Sequence, residues 1–277
     1  MELLRPSSLA ELNGGTPLAG GTEVVPLLRD GLLDARALVH IQPLLPRGIA
    51  EGRIGAGATL AELEVDPQVP DALRQACSAA ASPQLRHMGT IGGNLLQATR
   101  CWYWRLAYPC FLHGGDRCHA RDGEHREHAI FGNERCASAH PSDPAAALLA
   151  LGATLRTTQR ELPLADLYRL PTEDERSTTT LGPGELILEL DVPRPDASVY
   201  LKAMDRKAFS FALVGVAAAR FGDEIRLGLA GVAPVPWTLG SIEELEGATP
   251  LPRTTYKVEL TRALVRRALA HVAASTR

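Results

Sequence analysis

The chain has 277 residues, of which 45% are hydrophobic and 22% are charged, and this is the composition of a folded protein, not a disordered one. Its 29 Lys and Arg residues nearly balance 32 Asp and Glu residues without forming a basic run, which argues against a nucleic-acid partner. No apolar run approaches the roughly 20 residues that span a bilayer, and the first residues lack the pattern of a signal peptide. We therefore expect no membrane span and a location in the cytoplasm.

The first hundred residues alternate between strand and helix patterns, which predicts an α/β arrangement. A short helix is expected at 60–65, with Thr59 placed to cap it, and a longer one at 71–81 after Pro70. Cys77 stands among alanines in the longer helix and is predicted to be a small buried apolar side chain, not a ligand. The other predicted elements of this region are strands at 16–19, 37–41 and 53–57 and a helix at 23–33.

Two glycine-rich turns occur in this region, at residues 18–23 (LAGGTE) and 89–94 (GTIGGN). Glycine lets the backbone approach a ligand closely, and free amides at the start of a helix suit a phosphate group. Each turn taken alone could be a plain connection between elements, but the two together favour a backbone cradle for a diphosphate. Neither turn matches the Rossmann or Walker pattern, which disfavours those sites.

Residues 101–136, which we call the insertion, show little periodicity and contain four of the five cysteines. The spacing of these four cysteines leaves three explanations open. A [4Fe–4S] cluster takes four thiolates and tolerates wide spacing. Structural zinc usually recruits close Cys pairs, which are absent here, although nearby His residues keep zinc as an alternative. The thiols could also be unligated. Disulfides are disfavoured, because they would need an oxidising compartment and the first residues lack the pattern of a signal peptide.

Helix and strand patterns resume after the insertion. Near residue 195 they change from mixed helices and strands to consecutive strands, which predicts a domain boundary there. The expected elements before the boundary are a helix at 143–151, a strand at 153–157, a polar loop at 171–184 and a strand at 185–192. After it come strands at 199–204, 211–221 and 225–232, expected to be antiparallel, and a helix at 258–272.

Three motifs, at 18–23, at 89–94 and at Pro141-Ser142-Asp143, together resemble the FAD-binding subunit of the molybdenum hydroxylases, the family of xanthine dehydrogenase, aldehyde oxidoreductase and carbon monoxide dehydrogenase. The resemblance runs over nearly the whole chain, although the chain is somewhat short for the family. The insertion resembles that of the subgroup whose flavin subunit carries an extra [4Fe–4S] cluster. Periplasmic-type aldehyde oxidoreductase and 4-hydroxybenzoyl-CoA reductase exemplify this subgroup.

The resemblance implies an α+β, PCMH-like FAD-binding fold. An FAD-binding domain would occupy residues 1–195, made of α/β subdomains at 1–62 and 63–195, with the iron–sulfur insertion at 101–136. A C-terminal domain at 196–277 would consist of an antiparallel sheet and a helix.

The resemblance also implies residues that hold the two cofactors, FAD and a [4Fe–4S] cluster. The residues expected around the FAD diphosphate are Leu18, Ala19, Gly20, Gly21, Thr22 and Glu23 on one side and Thr90, Gly93 and Asn94 on the other. Those expected at other parts of FAD are Ser142 and Asp143 at the sugar and phosphates, Ile187 or Leu188 against a ring, and Lys202 close by. Lys202 has an alternative interpretation as a solvated strand lysine. The cluster ligands would be Cys101, Cys110, Cys118 and Cys136.

By resemblance, the chain transfers electrons and needs no general base or nucleophile of its own. Electrons would pass from a molybdenum cofactor on a large partner subunit, through [2Fe–2S] centres on a small partner subunit, to FAD on this chain and then to an external acceptor. Two alternatives remain: a stand-alone FAD oxidoreductase of the UDP-N-acetylenolpyruvoylglucosamine reductase type, and a zinc-binding assembly module. Export together with a partner subunit is the alternative to a cytoplasmic location.

Overall fold

A computed structural model describes residues 1–12, 14–50 and 52–274, and this part of the chain forms three β-sheets and eight α-helices. The mixed α and β architecture is the one that the sequence predicts. No helix among the described residues is long and apolar enough to cross a membrane.

The N-terminal sheet has three parallel strands in the order β1-β3-β2. They are β1 (Glu2–Leu4), β2 (Thr16–Leu18) and β3 (Ala37–His40). Helix α1 (Val24–Arg29) connects β2 to β3, as parallel pairing of consecutive strands requires a crossover. The helix is shorter than predicted because Asp30 and Gly31 end it.

The central sheet has five strands, and all of its pairs are antiparallel. They are β4 (Ile49–Ala50), β5 (Arg53–Gly55), β6 (Thr154–Thr157), β7 (Glu161–Pro163) and β8 (Ile187–Asp191), in the order β4-β5-β8-β6-β7. Because β8 lies between β5 and β6, it brings residues after the insertion next to the N-terminal part of the chain.

Between β5 and β6 the chain forms five α-helices outside the insertion. They are α2 (Leu60–Val65), α3 (Asp71–Ala79), α4 (Pro83–Met88), α5 (Ile91–Leu95) and α7 (Asp143–Leu151). Thr59 caps α2 as predicted: its Oγ1 accepts a hydrogen bond from Glu62 N at 3.2 Å, and Glu62 Oε2 accepts one from Thr59 N at 2.7 Å. Helices α4 and α5 were not predicted, and α5 is built from the second glycine-rich turn itself.

The C-terminal sheet is antiparallel, as predicted, in the order β12-β11-β10-β9. Its strands are β9 (Ala197–Ala203), β10 (Val214–Phe221), β11 (Glu224–Ala230) and β12 (Trp237–Leu239). Successive residues of β10 face opposite sides of the sheet. Ala217 and Ala219 join the apolar core with α3 and α7, whereas Val216 and Ala218 join a second core with helix α8 (Tyr256–Ala274).

Strand β9 also forms hydrogen bonds across the predicted boundary at residue 195. Ala72 N of α3 donates to Ser198 Oγ at 3.0 Å, and Tyr200 N donates to Gln75 Oε1 at 2.7 Å. Cys77 of the same helix is fully buried in this core, as predicted. The two sides of the boundary therefore share one core.

The insertion is mostly irregular, as predicted, with one short α-helix, α6 (Trp102–Arg105), and one 3-10 turn at Phe111–His113. Aromatic rings pack its interior. The ring centroids of Trp102 and His128 lie 5.1 Å apart edge to face, and those of Trp104 and His113 lie 5.1 Å apart in a stacked arrangement.

Candidate functional site

The first glycine-rich turn joins the end of β2 to the start of α1 and is in direct contact with the second. Gly21 has a φ of +73°, a conformation that favours glycine. A Cβ atom on Gly20 would lie 1.6 Å from the Met88 carbonyl oxygen, at the end of α4. Only glycine therefore lets the two turns meet without moving the backbone.

The second turn is held in place by its own cap and by the chain before α2. Thr90 caps α5, because its Oγ1 accepts a hydrogen bond from Gly93 N at 3.2 Å. Ile91 N donates to Ala58 O at 2.8 Å, and Gly92 N donates to Ala56 O at 3.0 Å. These bonds fix the turn as a rigid wall facing the first turn.

The two turns enclose a cavity of about 350 Å³, which we call the glycine-turn cavity. Eight of the expected FAD residues line it: Ala19, Gly20, Gly21, Thr22, Glu23, Thr90, Gly93 and Ile187. Its apolar lining includes Leu27, Leu33, Ile41, Leu45 and Leu186, which sequence reasoning did not single out. The cavity thus combines backbone amides at a helix start with a surface that suits a flat ring.

Six expected residues do not line this cavity: Leu18, Asn94, Ser142, Asp143, Leu188 and Lys202. Ser142 Oγ donates to Asn94 Oδ1 at 2.6 Å and accepts from Ala145 N at 3.0 Å as the cap of α7. Leu188 packs instead against the apolar cluster near β3. Direct contact of Asn94 and Ser142 with a cofactor has no support in this geometry, since these two side chains join α5 to α7.

Lys202 forms a buried ion pair with Asp143, so the interpretation of Lys202 as a solvated lysine is wrong. Its Nζ lies 2.8 Å from Asp143 Oδ2 and also donates to Ala79 O at 2.8 Å, while the Tyr200 hydroxyl donates to the same carboxylate. The side chains of Lys202 and Asp143 are 4% and 3% exposed. Burial raises the pKa of Asp143, and the Lys202 charge and the Tyr200 hydrogen bond oppose that shift.

Glu23 connects the glycine-turn cavity to the start of the insertion. Its carboxylate pairs with Arg100 at 2.6 Å and with Arg105, and it accepts a hydrogen bond from Ala98 N at 3.2 Å. Sequence reasoning missed these two arginines. Their placement on either side of Cys101 was visible, but nothing in the pattern indicated an acidic partner 77 residues earlier.

The four cysteines of the insertion line one small cavity, which we call the thiol cavity. Two of their sulfur atoms have a nitrogen atom within hydrogen-bonding distance. Ala137 N donates to Cys118 Sγ at 3.4 Å, and the His128 ring nitrogen Nε2 lies 3.2 Å from Cys101 Sγ. The hydrogen bond from Cys136, aided by backbone amides, lowers the pKa of Cys118 to about 5.

The environments of two other thiols, Cys101 and Cys136, are less favourable to ionisation. Burial raises the pKa of Cys101 to about 11, and the hydrogen bond to Cys118 raises that of Cys136. Among the described residues, no group of three or more His, Cys, Asp or Glu side chains is placed to hold a single metal ion.

Residues 3–195 match the family model described as the FAD binding domain in molybdopterin dehydrogenase. A curated relative, the aldehyde oxidoreductase FAD-binding subunit PaoB of Escherichia coli (strain K12), is 33% identical to this chain over 305 residues. The match covers 98% of this chain and 94% of the relative.

Solved structures share the fold. Carbon monoxide dehydrogenase from Hydrogenophaga pseudoflava matches with a TM-score of 0.70 at 23% identity, over 99% of this chain and 97% of that one. Quinoline 2-oxidoreductase from Pseudomonas putida 86 matches with a TM-score of 0.70 at 20% identity, over 100% of this chain and 98% of that one. These matches confirm the predicted fold class.

Proposed function

The chain belongs to the family of FAD-binding domains in molybdopterin dehydrogenases, and we propose that it is the electron-transferring flavin subunit of an aldehyde-oxidising molybdenum hydroxylase. Its role as an FAD-binding oxidoreductase subunit follows from family membership. The aldehyde class is inferred from the similarity to PaoB. The cytoplasmic location and the division of the chain at residue 195 stay predictions.

The observation that carries this proposal is the meeting of the two glycine-rich turns at one cavity. Amides of residues 19–23 and the capped turn at Thr90 and Gly93 would hold the FAD diphosphate from two sides. Ile187 and the neighbouring apolar side chains would pack against a ring of the cofactor. Bound FAD would supply the redox chemistry, since a flavin can accept two electrons one at a time and deliver them to an acceptor.

The charged side chains beside the glycine-turn cavity also suit an anionic cofactor. Glu23 would repel a diphosphate if it stood alone, but Arg100 and Arg105 both pair with its carboxylate. The group of three side chains carries a net charge of about +1 at neutral pH, because arginine remains protonated. The pairing therefore removes the repulsion and leaves a positive field beside the first turn.

Residues behind the cavity would support its walls. The bond between Asn94 and Ser142 joins α5 to α7, and the ion pair between Asp143 and Lys202 joins α7 to β9. We assign to these four residues the positioning of the second turn, in place of the contacts with FAD that the resemblance implies.

We further propose a [4Fe–4S] cluster in the thiol cavity. Four thiols line this single cavity, and amide and imidazole groups lie within hydrogen-bonding distance of their sulfur atoms, as suits cluster ligands. The cluster would stabilise the insertion, which otherwise has little regular structure.

The proposed partners are a large subunit that binds the molybdenum cofactor, where the substrate is oxidised, and a small subunit with [2Fe–2S] centres. Copurification of two such subunits with this chain would separate this assembly from a stand-alone flavoenzyme.

Anaerobic purification, followed by an absorption spectrum and by iron, zinc and sulfide analysis, tests both cofactors. We expect a flavin band at about 450 nm and about four iron and four sulfide per chain. Flavin without iron would remove the cluster proposal and leave the flavin proposal standing. Zinc without flavin would overturn both proposals.

A further inference from the structure

A short turn connects two of the four cysteines that line the thiol cavity, Cys110 and Cys118. It consists of residues 111–117, and we call it the intercysteine turn. Its two ends are joined by a backbone hydrogen bond from Phe111 N to Arg117 O at 2.9 Å. Phe111 also lines the thiol cavity. The position of this turn therefore controls how Cys110 and Cys118 are presented to the cavity.

A side chain from outside the insertion holds the intercysteine turn. Arg176 belongs to the polar loop at 171–184, and its Nη1 donates to Phe111 O at 2.9 Å and to Gly115 O at 2.5 Å. These two carbonyl groups stand near the start and near the end of the turn. Hydrogen bonds from a charged donor are stronger than those between neutral groups. Arg176 thus fastens the turn to a loop that lies far from it along the chain.

The same guanidinium also stacks on the aromatic ring of Phe111. Its Cζ atom lies 4.5 Å from the centroid of that ring, and Phe111 is only 2% exposed. A single buried side chain therefore contacts both the Arg176 guanidinium and the thiol cavity. The side chain of Arg176 is itself 31% exposed, so water screens its charge only in part.

An acidic side chain three residues earlier joins the polar loop to the other end of the insertion. Glu173 Oε1 lies 2.8 Å from Arg135 Nη1, and Glu173 Oε2 lies 3.5 Å from Arg176 Nη2. Arg135 directly precedes Cys136, another cysteine of the thiol cavity. Arg135 and Glu173 are both more than half exposed, and such a pair contributes about 1 kcal/mol or less. The bonds made by Arg176 are therefore the stronger attachment of the loop to the insertion.

We infer that Arg176 is a positioning residue of the cluster site, an inference that rests on the proposed [4Fe–4S] cluster. It fixes the intercysteine turn so that Cys110 and Cys118 line one cavity, and its charge raises the reduction potential of the bound cluster. The reduced cluster carries one more negative charge than the oxidised cluster, so a nearby cation stabilises the reduced form. Glu173 weakens this field but does not cancel it, because two arginines and one glutamate leave a net charge of about +1.

The test uses the full chain, purified anaerobically with the subunits that copurify with it, as wild type, Arg176→Gln and Arg176→Lys. Glutamine keeps a donor but removes the charge, whereas lysine keeps the charge but lacks the planar fork. Arg169→Gln is the matched control. Arg169 belongs to the same loop, is 34% exposed, and pairs with Glu175 of the loop itself at 2.6 Å. Iron, sulfide and flavin are measured on every sample.

Incubation with an iron chelator measures the positioning effect, with loss of the [4Fe–4S] electron paramagnetic resonance signal as the readout. We expect this signal to disappear about tenfold faster in Arg176→Gln than in the wild type, the value of a charge-assisted hydrogen bond. Arg176→Lys should lie between the two, and Arg169→Gln should match the wild type. An Arg176→Gln protein that retains flavin but purifies without the cluster gives the same support.

A redox titration with dithionite as the electron donor, followed by the same signal, measures the charge effect. A merely structural role would not move the reduction potential. We expect the potential to fall in Arg176→Gln and to stay near the wild-type value in Arg176→Lys and in Arg169→Gln. Glu173→Gln, which leaves Arg176 in place and removes its acidic neighbour, should raise the potential. This last variant keeps the charge effect measurable where Arg176→Gln loses its cluster.

The opposite results overturn the inference. Equal rates of signal loss in Arg176→Gln and Arg169→Gln refute the positioning role, and equal potentials in wild type, Arg176→Gln and Glu173→Gln refute the charge effect. Loss of flavin together with iron in Arg176→Gln would assign the residue to the whole fold and not to the cluster site. Wild-type protein with flavin but without iron overturns the inference together with the cluster proposal, and wild-type protein without flavin refutes the proposed function itself.

Discussion

At Gly20, a single missing side chain decides whether two distant turns can touch. The Met88 carbonyl occupies the position that a Cβ would take, and both groups are backbone, so neither can rotate away. This contact holds two walls of the glycine-turn cavity together. A substitution that breaks the contact should therefore weaken the binding of FAD.

We expect Gly20→Ala to separate the two turns and to weaken FAD binding by about tenfold or more, because overpacking of this kind costs about 1–3 kcal/mol. The matched control is Gly48→Ala, where no atom lies within 4 Å of the added methyl group. Fluorescence titration of the flavin-free proteins measures both affinities. Equal affinities would show that the contact between the turns does not shape the FAD site.

The ion pair between Lys202 and Asp143 lies behind the cavity wall, and breaking it from one side is expected to be costly. Lys202→Met would leave a buried carboxylate without its charge partner and lower the free energy of unfolding by about 3–5 kcal/mol. Denaturant unfolding measures this loss, with Lys207→Met, at an exposed position of the next loop, as the control. A loss below about 1 kcal/mol, as for an exposed pair, would contradict the assignment.

Sequence reasoning reached the backbone contributions to the site more readily than the side-chain contributions. Glycine-rich turns can be recognised in the sequence because few other residues fit tight backbone geometry. The partner of a charged side chain has no such local signal. Glu23 with Arg100, and Lys202 with Asp143, pair across 77 and 59 residues and emerge only when the fold is known.

At the scale of elements, helix α8 joins the C-terminal sheet to the insertion through Lys257. This side chain is fully buried, and its Nζ donates to Glu127 O at 2.7 Å and to Gly231 O at 2.8 Å. Burial lowers the pKa of Lys257 from 10.5 to about 7. The ammonium is thus held by two carbonyl groups but penalised by its loss of water.

This lowered pKa predicts a pH-dependent stability. Between pH 7 and 10, the unfolded chain keeps the Lys257 proton that the folded chain has released, so the free energy of unfolding rises with pH. Relative to Lys257→Met, the wild type should gain about 1 kcal/mol per pH unit in this window. Urea unfolding at several pH values measures the difference. A difference that stays constant with pH would mean that Lys257 titrates normally.

Helices and strands with a strong hydrophobic periodicity were predicted from the sequence. Short helices that depend on hydrogen bonds to neighbouring segments were not. Helices α3, α7 and α8 have long apolar patterns, and the alternation in β10 and β11 is clear. Helices α4 and α5 are five or six residues long, and two glycines in α5 oppose a helix. Hydrogen bonds from α5 to the backbone of Ala56 and Ala58 stabilise this helix, whose own sequence has a low helix propensity.

For the whole molecule, the order of the insertion is expected to depend on its cluster. We predict that Cys118→Ser lowers iron from about four to below about one per chain and reduces stability, while FAD stays bound. Cys77→Ala is the control, because Cys77 is buried in the core far along the chain from the insertion. Metal analysis and the flavin spectrum provide the two measurements. Loss of flavin together with iron would show that the insertion is required for the FAD site.

The fold class followed from the order of elements, but the sharing of a core across residue 195 did not. A change of pattern along the chain suggested two domains, whereas the shared core depends on which face of β10 each small side chain occupies. Ala217 and Ala219 are small enough to let α7 pack against that face, and no local pattern reveals this fit.

Because β9 begins only two residues after 195 and forms hydrogen bonds to α3, we expect that two halves of this chain separated there would not fold independently. A fragment ending at 195 would expose the apolar sides of α3 and α7, and the remaining fragment would expose the alanine face of its sheet. Produced separately, the two pieces would aggregate. Produced together, the two fragments would bind each other and fold. Recovery of a soluble complex of the two fragments would then measure folding of the shared core.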